Sequence, residues 1–319
     1  MDRKSPVHRR FRGVYVDILT TIAPIFIIIA FGYVLKSRKM LSDAFVSEAN
    51  RFVFRFPLPF LIFTGILKAN MKDVGWLSVL SLIIPTAVVM ALAALSAMVA
   101  RYRGGKRGSF IQTTFHGNVT YVGLAVIFYL LGDEGLERGS LLVGMLILFN
   151  NAGAVLALSL SSGKHRNVMR TALSILTTPV IVATFAALIL AFLKVTMPAV
   201  IMKSITIVAN IALPMALIII GCSISLEMLR KTLQPAALAA TLKVIVLPAL
   251  AVLFCRIFAI DLKEALPAII LLATPTAITA YVMARELGGD TDLASGAVTL
   301  TTLVSPLTYL GWIWLLKTA

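Results

Sequence analysis

Two short polar stretches inside long apolar runs carry the side chains of this sequence that could hold a ligand. His116, Gly117, Asn118 and Gly123 lie within the apolar run of residues 110–131, which is long enough to cross a bilayer. Polar residues and glycines at that depth predict an interrupted helix, because broken backbone is tolerated there only where protein buries it or where it lines a cavity. An asparagine offers both a donor and an acceptor, which suits a carboxylate or a coordinated ion.

The second polar stretch contains Pro275 and Thr276 and lies within the apolar run of residues 265–286. Proline removes a backbone donor and interrupts the helical hydrogen bonds before it, so this run is also predicted to break. Where two broken helices meet at mid-membrane, freed amides and half-helix N-termini attract anions. The two stretches together therefore predict one anion site made of two halves.

Other polar residues in the apolar runs have two interpretations each. Asn150 and Asn151 either face a ligand or join helices by hydrogen bonds, since buried amides need partners. His116 is either a proton acceptor near neutral pH or a hydrogen-bonded neutral side chain. Lys243, in the middle of residues 235–259, has either a functional or a structural role. In the functional interpretation it attracts an anionic substrate or is a fixed cation where an ion-coupled relative would bind Na⁺, and in the structural one it is a snorkelling or salt-bridged lysine.

The composition is that of a polytopic membrane protein. Of the 319 residues, 59% are hydrophobic and only 13% are charged, and the mean hydropathy is +0.96, values that a soluble domain does not reach. The net charge of +15 comes from basic residues in short hinges, which indicates positively charged loops rather than a nucleic-acid partner. Cys222 and Cys255 lie in separate apolar segments and predict neither a disulfide nor a metal site. Because no carboxylate cluster and no nucleophile–base pair stand out, an enzyme and a bound cofactor have little support.

The apolar runs predict an all-α protein of ten transmembrane helices joined by short connections. The predicted spans are residues 16–35, 45–67, 76–100, 110–131, 139–161, 172–193, 199–226, 235–259, 265–286 and 293–316.

The two halves of the chain repeat each other. Pro24 and Pro179 differ by 155 positions, as do the Leu-Pro pairs that begin at residues 58 and 213, and residues 131–134 match residues 287–290 at a spacing of 156. Each half holds five spans, an odd number, so the second must be inverted relative to the first. The predicted division is a basic tail at 1–15, a first repeat at 16–161, a hinge at 162–171 and a second repeat at 172–319.

The basic residues of the hinges favour one orientation. Without the basic tail, they place the hinges at residues 101–107 and 164–170 in the cytoplasm and both termini outside. The tail does not fit this distribution. One hypothesis is that native translation begins near Val14 or Tyr15.

Four motifs, in order along the chain, resemble the auxin efflux carrier family, which includes plant PIN-type auxin exporters and bacterial permeases for malate or malonate. The motifs are Asn50-Arg51-Phe52-Val53 running to Leu58-Pro59, Asn118 five residues before Gly123, Lys243 five residues before Pro248, and Ala273-x-Pro275 followed by Ala284-Arg285-Glu286 and Asp290.

The resemblance implies a scaffold domain and a transport domain, crossed broken helices four and nine, and an elevator-like efflux or exchange of organic anions, often by a dimer. It maps the site-lining asparagines of spans four and five to Asn118 and Asn150. Two departures stand out. Gly117 and Ala125 replace prolines that often flank the first crossover, which predicts a gentler break, and a short hinge replaces the long cytoplasmic loop of the large PIN carriers.

The sequence therefore predicts a secondary active transporter of small organic anions, such as mono- or dicarboxylates, in a bacterial-type inner membrane. Its expected partners are the anion, the lipid bilayer and, from the resemblance, a second copy of the chain. Two alternatives stay open: a Na⁺-coupled symporter of bulkier acids, as in the related bile-acid symporter group, and a membrane receptor that does not transport. Substrate, direction of flux, coupling ion (H⁺ or Na⁺) and oligomeric state are left open.

Overall fold

The chain folds almost entirely into helices. The structure, a computed structural model, describes residues 6–69, 75–162 and 177–318, and within these ranges extended pairing is limited to one isolated backbone bridge. Residues 1–5 of the predicted tail (1–15) and residues 163–171 of the predicted hinge (162–171) lie outside the described residues. The first described helix begins at Pro6, within the predicted tail. Within the described ranges, seven helical stretches are long and apolar enough to cross a membrane. They are Ile18–Ser37, Asp43–Lys68, Trp76–Val99, Val119–Ser161, Ala199–Cys222, Leu233–Ile257 and Thr291–Lys317.

The described part of the first half contains six α-helices and one π-helical segment. They are α1 (Pro6–Ser37), α2 (Asp43–Arg55), α3 (Pro57–Lys68), α4 (Trp76–Val99), α5 (Gly104–Phe115), the π segment Val119–Gly123 and α6 (Leu124–Ser162).

The second half contains nine described α-helices and a second π-helical segment. They are α7 (Pro179–Phe192), α8 (Ala199–Ala209), α9 (Ala212–Cys222), α10 (Leu226–Lys231), α11 (Leu233–Thr241), the π segment Leu242–Val246, α12 (Leu247–Ile257), α13 (Leu266–Leu272), α14 (Thr279–Leu287) and α15 (Thr291–Thr318).

Local sequence explains why the second predicted span is bent. Ser42 caps α2 by accepting a hydrogen bond of 3.1 Å from the Phe45 N–H. The helix ends at Phe56, whose φ of −128° is outside the helical range, because a residue before proline is pushed out of the helical region. Pro57 then begins α3, where its missing N–H costs nothing. Because of this bend, α2 and α3 run in different directions.

Two glycines that lie 156 positions apart leave the helical conformation. Gly132 has φ +69° and bends α6, and Gly288 has φ +76° and ends α14. Residues other than glycine rarely adopt such angles. The segment after each broken helix therefore ends at a glycine.

The helices pack in two groups. In one, α1 packs along α9, α3 packs on α7 and α8, and α2 contacts α3, α7 and α9. In the other, α5 packs on α4 and α6, and α15 packs on α10, α11 and α14. The groups meet where α1 and α3 contact α6 and where α1 contacts α15. The polar residues that the sequence singled out lie in the second group.

Candidate functional site

The first predicted break is present at residues 116–118. α5 ends at Phe115, and His116 (ψ 85°) and Asn118 (ψ 59°) are not helical. Asn118 restarts the chain as a π-helix, because its Oδ1 accepts a hydrogen bond of 3.3 Å from the Tyr121 N–H. The helix is therefore interrupted here although the flanking prolines of the resembling family are absent.

The second predicted break separates α13 from α14. α13 ends at Leu272, and the chain resumes a helix only at Thr279. Pro275 has no N–H and disfavours a helical conformation at Thr274. The Thr274 hydroxyl donates a hydrogen bond of 2.7 Å to the Leu271 carbonyl and so satisfies one acceptor at the end of α13.

The two breaks lie against each other and pair as a short antiparallel bridge between Gly117 and Thr276. The Asn118 N–H donates to the Pro275 carbonyl at 2.7 Å, and the Ala277 N–H donates to the His116 carbonyl at 2.9 Å. Much of the backbone freed by the breaks is therefore satisfied by the opposite break rather than left for a ligand.

Thr276 completes this junction. Its hydroxyl donates to the Thr113 carbonyl at 2.8 Å, and its N–H donates to the Thr301 hydroxyl at 3.0 Å. The amides of Val119 and Thr120 are the first of the π segment and have no partner within it, and both residues line the cavity described below.

Lys243 lies behind the junction. Pro248 cannot donate to the Val244 carbonyl, which instead accepts a hydrogen bond of 2.9 Å from the Trp312 indole. With this helical hydrogen bond missing, the chain before Pro248 forms a π-helical segment, and this segment carries Lys243. The Lys243 side chain is fully buried, and its Nζ donates to the Leu272 carbonyl at 2.7 Å. A basic group thus caps the C-terminus of α13, as helix electrostatics favour.

Gly117 allows this arrangement. A Cβ at that position would lie 3.1 Å from Lys243 Nζ and closer still to Thr274 Oγ1. Lys243 therefore contacts one side of the first break. The opposite side of this break faces the cavity described next.

A cavity of about 660 Å³ opens in front of the junction. Its walls come from α2, the first break, α6, the start of α7 and the second break with α14. The lining residues are Ser47, Asn50, Arg51, Phe54, Arg55, His116, Gly117, Asn118, Val119, Thr120, Tyr121, Ile147, Asn150, Asn151, Thr177, Thr178, Pro179, Ala277, Ile278, Thr279, Val282 and Glu286.

The cavity gathers part of the predicted site. Its lining includes His116, Gly117, Asn118, Asn150 and Asn151, although the two asparagine groups are about thirty positions apart in the sequence. The other predicted residues, Gly123, Pro275, Thr276 and Lys243, are not part of the lining and form the packed junction behind it.

Asn150 contributes to the lining a buried side-chain oxygen that has no partner among the described residues. The residue is 1% exposed, and this oxygen is its Oδ1. An unsatisfied buried amide costs roughly 1–3 kcal/mol. The position of the amide oxygen and nitrogen can exchange by a flip, so this group can offer a donor or an acceptor to a ligand.

His116 connects the first break to α14. Its Nδ1 lies 3.4 Å from Gln112 Nε2, and its Nε2 lies 3.5 Å from Thr279 Oγ1. The residue is 3% exposed. Both ring nitrogens therefore have polar neighbours, and the ring lies at the edge of the cavity with Thr279 beside it.

Sequence reasoning missed the contribution of α2. Asn50 and Arg51 were noted only as part of a family motif, and Arg55 was not assigned to the site, yet all three line the cavity. Asn50 also accepts a hydrogen bond of 3.0 Å from the Tyr121 hydroxyl. The available signal was the spacing of Arg51 and Arg55, since residues four apart share a helix face.

Among the described residues, no group of three or more His, Cys, Asp or Glu side chains converges as a metal site would require. The cavity instead combines amides, hydroxyls and two guanidinium groups with one carboxylate, Glu286. Amide and guanidinium donors are suited to binding the oxygens of an anion.

Comparison with known families agrees with this architecture. A family model described as "Membrane transport protein" matches residues 17–162 and 164–313. The chain belongs to this family. The resemblance to auxin efflux carriers drawn from its motifs is thereby confirmed. With its apolar helices, the protein is a multi-pass membrane transporter.

Two curated relatives span nearly the whole chain. An "Uncharacterized transporter" of Methanothermobacter thermautotrophicus is 25% identical over 294 residues, covering 89% of this chain and 94% of the relative. A "Putative malonate transporter" of Rhizobium meliloti is 24% identical over 317 residues, covering 94% of this chain and 96% of the relative. The similarity therefore extends over both halves and includes the two breaks.

Proposed function

We propose that this transporter is a secondary active carrier of small organic anions, mono- or dicarboxylates, that works by alternating access in efflux or exchange. The observation that carries the proposal is the cavity in front of the two paired helix breaks. Asn118, Asn150 and Asn151 supply amide donors there, and Arg51 and Arg55 supply positive charge. The relative named as a malonate transporter supports the choice of carboxylates.

In the proposed complex, the carboxylate lies against the first break. The Nδ2 of Asn118 donates to it, since the Oδ1 of that side chain is engaged with the Tyr121 N–H. The amides of Val119 and Thr120 add donors at the positive end of the π segment. Lys243 adds positive potential from behind the break, where its Nζ is fixed on the Leu272 carbonyl.

For the fold, we propose ten membrane helices in two inverted five-helix repeats. The breaks occur in corresponding segments of the two halves, and Gly132 and Gly288, 156 positions apart, both have positive φ. The two packing groups support an elevator-like motion, in which the group with the breaks moves against the group with α1, α3 and α9.

Replacing Asn118 with alanine is expected to lower carboxylate flux into or out of proteoliposomes by roughly tenfold, because one charge-assisted hydrogen bond contributes about 1.5 kcal/mol or more. Malonate flux measured with and without a Na⁺ gradient, and with and without a pH gradient, also identifies the coupling ion. Flux that strictly requires Na⁺ would favour the symporter alternative.

Two further variants separate binding from folding. Asn118→Asp keeps the oxygen that caps Tyr121 but replaces the donor by a negative charge, so it should lose flux at least as strongly. Asn210→Ala, at the exposed end of α8 and outside the cavity, should leave flux unchanged. An unchanged rate and affinity in Asn118→Ala would remove this residue from the site. Binding of malonate without any passage across the liposome would indicate a receptor.

A further inference from the structure

The two arginines of α2 are unusual among the basic residues of the described chain. Arg51 and Arg55 both line the cavity, one helical turn apart on the same face. Neither guanidinium has a hydrogen bond or an ion pair with any residue in the described ranges. Asp43 of the same helix is bound to Lys36 instead. Two guanidinium groups that share a cavity wall without a partner are positioned to receive an anion.

The arginines belong to the packing group opposite the asparagines. α2 contacts α3, α7 and α9, whereas Asn118 and Asn150 lie on the π segment and α6 of the group that carries the breaks. The cavity lies between the two sets, with amide donors on one wall and guanidinium groups on another. A single carboxylate bound at Asn118 leaves the arginine wall without a partner anion.

From this placement, we infer that Arg51 and Arg55 form a second anion subsite, which binds the distal carboxylate of a dicarboxylate and selects it over a monocarboxylate. The inference rests on the proposed function and specifies its substrate class. The amide wall binds the proximal carboxylate, and the paired guanidinium groups bind the distal one by the bidentate geometry that carboxylates favour.

This arrangement also gives the substrate a mechanical role. A dicarboxylate held at both ends connects the group of helices that contains α2 to the group that contains the breaks. The bound anion neutralises positive charge on the α2 wall. The lining contains one acidic residue, Glu286 on α14. A monocarboxylate neutralises only one wall and leaves two cations facing the cavity.

The test compares malonate with monomethyl malonate, which has nearly the same shape but lacks one charge. Dissociation constants are measured by calorimetry on the purified full-length protein, at a pH where malonate is a dianion. Wild type should bind malonate roughly tenfold more tightly, because the second carboxylate can accept charge-assisted hydrogen bonds that the ester group cannot match. The double variant Arg51→Gln/Arg55→Gln should lose this preference while its affinity for monomethyl malonate stays the same.

Two controls accompany the double variant. Arg256→Gln removes one guanidinium group at an exposed position outside the cavity and should keep the wild-type preference. Arg51→Lys/Arg55→Lys keeps the charge and should retain part of the preference, while melting temperatures of all variants verify folding.

The outcomes separate the inference from the proposed function. If the double variant still prefers malonate, or if both ligands weaken equally, the subsite is overturned while carboxylate binding stands. If wild type binds the two ligands equally, the same conclusion follows. If wild type binds and transports no carboxylate at all, the proposed function fails and the subsite fails with it.

Discussion

Replacing Lys243 with methionine is expected to lower carboxylate flux by roughly thirtyfold, the largest functional effect of any change outside the cavity lining. A unit positive charge about 8 Å from a bound anion contributes about 2 kcal/mol at an effective dielectric constant near 20, which corresponds to that factor. The side chain is fully buried directly behind Gly117, so bulk water does not screen it. Initial rates of malonate flux in proteoliposomes measure the effect.

The lysine has a structural role that the experiment must separate from its charge. Its Nζ is the donor to the Leu272 carbonyl at the end of α13, and loss of that bond leaves a buried acceptor without a partner. Lys243→Gln keeps a donor without a charge, and Lys243→Arg keeps a charge in a larger group. If Lys243→Met lowers only the melting temperature and the flux per folded protein is normal, the lysine is structural and does not act on the anion.

Replacing Gly221 with valine is expected to destabilise the protein by about 3 kcal/mol or more, in the range of overpacked or strained buried sites. α1 and α9 approach each other so closely that a Cβ at position 221 would lie 2.7 Å from the Tyr33 backbone nitrogen and closer still to the Ile29 carbonyl. Both neighbours are backbone atoms of α1, so no side-chain rotation relieves the clash. The helices have to separate.

The melting temperature and the monodisperse yield of purified protein in detergent measure this effect. Gly311→Ala is the matched control, since no atom lies within 4 Å of its added Cβ and α15 is helical there. It should melt at or slightly above the wild-type temperature, because alanine is favoured over glycine in a helix by roughly 0.5–1 kcal/mol. A Gly221→Val variant that melts with the wild type would mean that α1 and α9 do not pack in this way.

Several features of the protein were predictable from the chain because the membrane restricts what a sequence can do. A bilayer accepts only segments whose backbone is satisfied, so long apolar runs are helices and polar residues inside them mark breaks. On this basis the sequence located the interruptions at Asn118 and at Pro275. It also singled out Lys243 as a charged residue inside an apolar span. The spacing of prolines and glycines also predicted that the two halves repeat each other, and this stays a prediction.

Other features depended on the tertiary structure. Tertiary packing decided that the two breaks pair with each other, because whether a freed amide meets a ligand or another strand depends on distances between segments some 160 residues apart. It also decided that Asn150 faces the cavity while Thr276 packs behind the junction, since both are equally polar residues of apolar runs.

The arginines of α2 show most clearly what could not be predicted from the sequence. In the sequence, Arg51 and Arg55 are two charges near the end of a span, a pattern equally typical of residues that reach a membrane surface. The bend at Phe56 turns α2, and packing on α9 brings its basic face to the cavity. The chain by itself indicated which segments are apolar enough to cross a membrane and where two of them break. The three-dimensional packing alone decided which side chains share one space, because that depends on helix directions that no local pattern specifies.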